Sequence, residues 1–225
     1  MTEKTNTKKR TKTVAKKATN RRCTAKNGSS KISSKEMILP LITLRALIIT
    51  PNSKLQITAA RDSSIAAFSY AQEQDEHNVA VFCQLNEADE KPEFKDLHKT
   101  GVICNLLSMT QKDANTRQCL ISGFERIKLI EIIDDEKVPF RKARIQVLDE
   151  EVQSDKDVAD TLSVLKSCLQ YAIDSSDKSS RALIEDSVPK HLISSILEES
   201  SLSKLTDTLT QILKLDTQTK YMLLS

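Results

Sequence analysis

The apolar residues of this chain change period near residue 150, and that change limits the fold more than any other feature. Before it, Leu55 and Ile57 alternate with Lys54 and Gln56, Ile127 and Leu129 with Arg126 and Lys128, and Ala143, Ile145 and Val147 with Arg144 and Gln146. A period of two places one face of a strand in the core and the other in water. After it, Val158, Leu162, Leu165, Leu169 and Ala172 recur at helical spacing, on one face of about five turns. Strands followed by helices give an α+β chain in two packed parts. The expected division is a tail over 1–36, a β-rich pseudo-barrel with one helix over 37–150, and a helical bundle over 151–225.

Local signals fill in this outline. Short apolar runs at 38–44 and 46–50, punctuated by Pro40 and Pro51, read as edge or barrel-end strands. Asp62-Ser63-Ser64 starts a helix that carries Ile65, Phe68 and Tyr70 to about Gln74. Val79 to Cys83 reads as a buried strand, Asn86 to Asp96 as a loop, and Gly101 to Met109 as a strand. A turn is expected at 111–115, a strand from Arg117 to Ser122, and a break at Gly123. In the second part, a short helix is expected at 182–185, with Pro189 opening another. Amphipathic helices follow at 202–213 and 217–224.

The near-neutral total charge of +3 conceals an asymmetry. Residues 1–36 carry nine Lys and three Arg against Glu3 and Glu36, a net +10, which leaves −7 for the remainder. With Val14 and Ile32 almost its only aliphatics, the tail is too polar to bury a core and is expected to be disordered. An inert solubilising arm, a phosphate-binding arm for nucleic acid, and an organellar targeting segment all fit that composition. No apolar run approaches the roughly 20 residues of a membrane span, so a soluble, cytoplasmic protein without membrane partners is expected.

Several chemistries are excluded or disfavoured. Three glycines, Gly28, Gly101 and Gly123, cannot build a phosphate-cradling loop. The five cysteines contain no C-x-x-C pair, so neither a zinc site nor a disulfide framework is expected. Cys104 and Cys119 fall in strands and read as buried thiols; His98 and His191 read as structural. Asp134-Asp135-Glu136 and Asp149-Glu150-Glu151 read as solvated loops. No cofactor, no metal and no catalytic residue is expected.

The order of motifs resembles the N-terminal domain of Lon proteases. Leu39-Pro40-Leu41-Ile42-Thr43-Leu44-Arg45, then Pro51, then Arg61-Asp62-Ser63-Ser64-Ile65 is similar to that family's opening. Leu97-His98-Lys99-Thr100-Gly101-Val102-Ile103, Ile121-Ser122-Gly123-Phe124-Glu125-Arg126-Ile127 and Phe140-Arg141-Lys142-Ala143 resemble its later strands. Val188-Pro189 and Leu205-Thr206-Asp207 resemble its closing helices. The similarity runs from about Leu39 to Ser225. Departures stand at Thr43, Ala46 and Thr50, where the family has a proline, an acid and an aromatic. Others stand at Asn52 and Ala60, usual glycines, and at Ser63, a usual lysine. Asn52 tolerates a left-handed backbone, whereas Ala60 implies a changed turn.

The resemblance implies a protein-binding module without ATPase or peptidase, whose partners are unfolded or partly folded proteins. A full-length Lon-type protease and self-association are further implied partners, through a role as adaptor or modulator. It places recognition residues at Arg61, Asp62, Ser64 and Phe68. The competing structural reading makes Asp62 or Ser63 a helix cap and Phe68 part of the core. The alternative function is nucleic-acid association through residues 1–36.

Overall fold

The computed structural model describes residues 35–148, 155–174 and 190–225. Six strands lie in the first part: β1 Glu36–Leu44, β2 Lys54–Ala59, β3 Asn78–Cys83, β4 Thr100–Asp113, β5 Thr116–Ile133 and β6 Lys142–Val147. They pair in the order β2-β5-β4-β3-β1-β6, and β6 also pairs with β5. Strands β5, β4, β3, β1 and β6 therefore close into a ring, with β2 added on the first half of β5. Closure removes the open edges that a flat sheet of these strands would present. Only β1 and β3 run parallel, and the connection between them carries β2 and helix α1, Asp62–Glu73.

Two apolar cores occupy the two faces of the same strands. Val79, Val81 and Cys83 point one way along β3, Ala80 and Phe82 the other, and all five are buried. Leu41, Phe82, Ile103, Ile127, Leu129 and Ile145, drawn from all five ring strands, fill the ring interior. The outer core joins Ile42, Val81, Val102, Ile57 and Ile121 to Phe68 of α1 and to Leu224 at the far end of the chain. Fully burying a side chain such as Phe68 or Phe82 stabilises the fold by about 1.5–3 kcal/mol.

Pro40 stands where β1 changes partner, from β6 over residues 36–40 to β3 over residues 41–44. A residue without an N–H suits that hand-over, and the expected strand is observed. The expected strand over 46–50 is not. Ala46 adopts φ 49°, which turns the chain out of the sheet after Leu44, yet Ile48, Ile49 and Thr50 remain buried. The expected break at Gly123 is also absent, because β5 runs through it to Ile133. A Cβ at Gly123 would lie 2.6 Å from the Thr50 carbonyl. The Gly123 N–H donates to the Ser53 carbonyl and its own carbonyl accepts from Asn52, both at 2.9 Å. Here glycine permits close approach of a second segment rather than ending a strand. Asn52 takes φ 58°, as its glycine-like position anticipated, while Ala60 is absent from the left-handed residues. The hairpin between β4 and β5 is tighter than expected, turning only at 114–115.

Four helices are described in the second part: α2 Asp155–Asp174, α3 Lys190–Glu198, α4 Leu202–Ile212 and α5 Thr217–Leu224. Leu162, Leu165 and Leu169 of α2 meet Leu192, Ile193 and Ile196 of α3 and Leu205 and Leu209 of α4 in a third core. Ser201 caps α4 by accepting from the Lys204 N–H, and Asp216 caps α5 by accepting from the Thr219 N–H. The α+β architecture expected from the change of period is observed. Residues 1–34 of the tail expected over 1–36, the boundary near 150, the acidic run 149–151, the short helix at 182–185 and Pro189 lie outside the described residues, whereas Glu36, at the end of that expected tail, already opens β1.

Arg126 of β5 makes the main charged contact between the two parts. The Arg126 guanidinium binds the Asp207 carboxylate of α4 at 2.5 Å and 3.4 Å, and its Nε donates to the Leu224 carbonyl of α5 at 3.1 Å. Asp207 keeps 2 % of its side-chain surface and Arg126 20 %. The Thr50 hydroxyl donates to the Asp207 backbone carbonyl at 3.0 Å. Removing one partner of a buried, hydrogen-bonded ion pair leaves a desolvated charge, a cost of about 3–5 kcal/mol. Asp207→Ala should lower the free energy of unfolding in urea by that amount. A loss under about 1 kcal/mol would show that the pair does not hold the parts together.

Candidate functional site

Helix α1 begins where the chain leaves β2, and its first turn opens onto a cleft of about 780 Å³. β1 contributes Leu41 and Thr43 and the residue after it, Arg45. The turn into α1 contributes Ala60 to Ser64, the 90s loop Glu90 and Lys91, and the segment before β6 Asp134 to Glu136 and Val138 to Arg141. Three of the four residues named from the sequence, Arg61, Asp62 and Ser64, line this cleft together. The fourth, Phe68, does not: it is fully buried in the outer core. It forms the floor of a smaller cavity of about 440 Å³, which Arg61 and Ser64 also line.

Arg61 holds the cleft's shape. Its Nη1 donates to the Thr43 hydroxyl at 2.9 Å, and its Nη2 to the Gln84 side-chain oxygen at 2.9 Å and the Asp89 carbonyl at 3.1 Å. The Gln84 amide also donates to the Asp89 carbonyl, at 2.7 Å. One guanidinium thus joins the end of β1, the end of β3 and the 90s loop, which its planar fork suits better than an ammonium would. Thr43, where the resemblance leads one to expect a proline, supplies an acceptor that proline lacks. Partial burial pulls the Arg61 pKa down, and Arg45 and Arg141 pull it further, while Glu90 opposes them.

The segment before β6 adds acidic, apolar and basic side chains to the lining. Phe140 is buried and packs its ring against Tyr70 of α1, with centroids 5.1 Å apart. Arg141 is tied back by Nη1 donating to the Pro92 carbonyl at 2.7 Å. Asp135 accepts from Lys142 Nζ at 3.0 Å and from the Lys137 backbone N–H at 3.1 Å. Those bonds hold its carboxyl below the ordinary carboxylate range, with the Lys142 bond the larger cause. An acid held ionised in this way is a fixed charge and not a proton donor.

The capping role weighed for Asp62 or Ser63 is not observed. Arg61 is the residue before the helix, and no side chain caps it. The core role weighed for Phe68 is observed. Arg45, Glu90, Lys91, Arg141 and the 134–140 segment were not singled out as site residues. They come from segments up to about a hundred positions apart, and nothing in their local pattern marks them as neighbours. Their only signal was that Arg45 and Phe140-Arg141 sit inside motifs of the resemblance.

The remaining reactive side chains serve the fold. His98 is buried, its ring 3.8 Å from that of Tyr221 on α5, and burial lowers its pKa. Among the described residues, no three His, Cys, Asp or Glu side chains converge as metal ligands. Burial pushes the Cys83, Cys104 and Cys119 thiols up, Cys119 to about 11. A protonated thiol is a poor nucleophile. The stabilisation from a neutral Cys119 is complete below the ordinary thiol value near 9. It is lost as pH rises from there through about 11, because the unfolded thiol ionises first. At pH 8, iodoacetamide should therefore label exposed Cys168 in the native protein and spare Cys83, Cys104 and Cys119 until urea unfolds it. Peptide mapping that found Cys104 or Cys119 alkylated in the native state would contradict this burial.

Comparison with known proteins bears on the whole of this arrangement. Residues 38–225 match the family described as the ATP-dependent protease La (LON) substrate-binding domain. Lon protease 1 of Hydrogenovibrio crunogenus is 24 % identical over 184 residues, 82 % of this chain and 21 % of that protein. The Lon protease of Heliobacterium modesticaldum is 26 % identical over 187 residues, covering 83 % of this chain and 21 % of its own. The chain thus spans about a fifth of the length of these relatives. Among solved structures, the N-terminal domain of a Mycobacterium avium complex Lon protease is similar in fold. Its TM-score is 0.64 at 15 % identity, covering 84 % of this chain and 90 % of that one.

Proposed function

The chain belongs to the Lon substrate-binding domain family, and from that premise we propose that it is a non-catalytic module holding unfolded or partly folded polypeptides in the cleft around Arg61. The observation that carries the reading is the cleft's composition. Val138, Pro139 and Phe140 offer apolar wall, and arginines and carboxylates are interspersed around it. An unfolded segment presents the same mixture, apolar side chains interrupted by charges of either sign, and a partly preformed groove lowers the cost of ordering it. Arg61, Asp62 and Ser64 contact the client in this reading, and Phe68 supports them from below.

The relatives are whole Lon proteases, which supports a role beside such an enzyme. The module hands clients to it as an adaptor, joins its assemblies, or associates with itself, in a cytoplasm. The +10 charge of residues 1–36 supports a second, separate contact with nucleic acid.

Binding of a permanently unfolded, alkylated protein to the full chain, followed by fluorescence anisotropy, tests the proposal. Ser63 is exposed at the cleft mouth and makes no side-chain bond in the described structure. Ser63→Trp should weaken client binding about tenfold while leaving the melting temperature unchanged. Client binding should persist at 0.5 M salt, whereas binding of duplex DNA through the tail should collapse there. No capture of the client, or capture indifferent to Ser63→Trp, would sink the cleft reading.

A further inference from the structure

We propose that the cleft receives the C-terminal end of a polypeptide, its free α-carboxylate held by the guanidinium groups of Arg45, Arg61 and Arg141. The inference rests on the binding reading above and narrows it to one class of client segment.

The three arginines come from different segments and face one space. Arg61 is locked by its bonds to Thr43, Gln84 and Asp89, and Arg141 by its bond to the Pro92 carbonyl. Arg45 is exposed and has no bonded partner among the described residues. Two cations are thus preset and the third is free to close on a ligand. Arg61 is acted on by both other arginines, with Glu90 the one carboxylate offsetting them there. Three guanidinium groups facing one space, interspersed with Asp62 and Glu90, offer a carboxylate the paired, charge-assisted hydrogen bonds of a guanidinium fork.

The rest of the lining selects among sources of carboxylate. Asp134, Asp135 and Glu136 line the same cleft, and Lys142 holds Asp135 ionised. A stretch with several acidic side chains would meet these carboxylates and be repelled. A chain terminus brings one carboxylate, and its apolar or basic preceding side chains fit Val138, Pro139 and Phe140 or the acidic residues. A volume of about 780 Å³ accommodates a few residues of such an end.

Three ten-residue fluorescent peptides of apolar and basic sequence test this against the full chain. One ends in a free carboxylate, one in an amide, and one in an amide with a single internal Glu. The free acid should bind at least tenfold more tightly than either amide. Arg45→Ala should remove most of that difference, since Arg45 makes no bond that the fold needs. Equal binding of acid and amide, recovery of binding by the internal Glu, or an acid–amide difference that survives Arg45→Ala would each overturn the proposal. If an unfolded protein is still captured in those cases, the binding reading stands and only the terminus-specific one falls. If no unfolded protein is captured, both fall.

Discussion

Arg126 reaches from the ring of strands to two helices at once, and the arrangement of the chain depends on that reach. Its charge meets Asp207 in a nearly dry joint, and its Nε satisfies the carbonyl of Leu224 near the end of the chain. Such a pair contributes less by its own attraction than by what its disruption would cost, so it fixes geometry more than it adds stability. Around it the contacts are short-range and specific: Thr50 donates to the Asp207 carbonyl, and Leu224 enters the outer core. The second part of the chain therefore has its own core in α2, α3 and α4 and also supplies a piece of the first part's core through α5.

The other fixed point is β5, eighteen residues long and paired with three strands. Its first half carries Cys119 and Ile121 into the outer core, and its second half carries Ile127 and Leu129 into the ring interior. The ladder shifts register beside Gly123, between Ile103 and Cys104. A bulge increases twist, and this one accompanies the strand's passage from one core to the other. Ring closure then places the end of β1, the start of α1 and the segment before β6 side by side, which is how the cleft arises.

Much of this was legible in the sequence and some was not, for identifiable reasons. Period-two alternation located β2, the second half of β5 and β6, and helical spacing located α2 and α4, because each has one wet face and one buried face. The expected helix at 217–224 is observed as α5, although its apolar residues are consecutive and buried only at Leu224. Residues 46–50 misled because their apolar content reflects burial of a non-strand segment, and Ala46 at positive φ carries no signal that alanine advertises. Gly123 misled because a glycine that ends a strand and a glycine that lets another segment approach look alike in one dimension. Arg126 and Asp207 each fell within a motif of the family resemblance, yet nothing along the chain showed that they bind one another. The cleft was half visible: Arg61, Asp62 and Ser64 were named together, while its other arginines and its acidic residues lay in segments that only ring closure brings near.

The central claim is that unfolded polypeptide binds in this cleft and not elsewhere on the surface. The exposed face of α2 around Val164, Cys168 and Tyr171 is the obvious competitor, since it also leaves apolar surface uncovered. Amide hydrogen exchange of the full chain, with and without saturating unfolded client, separates the two directly. The account predicts new protection in residues 43–45, 60–64, 89–91 and 134–141, with α2 unchanged. Protection confined to α2, or absent from the cleft segments at saturation, would contradict it.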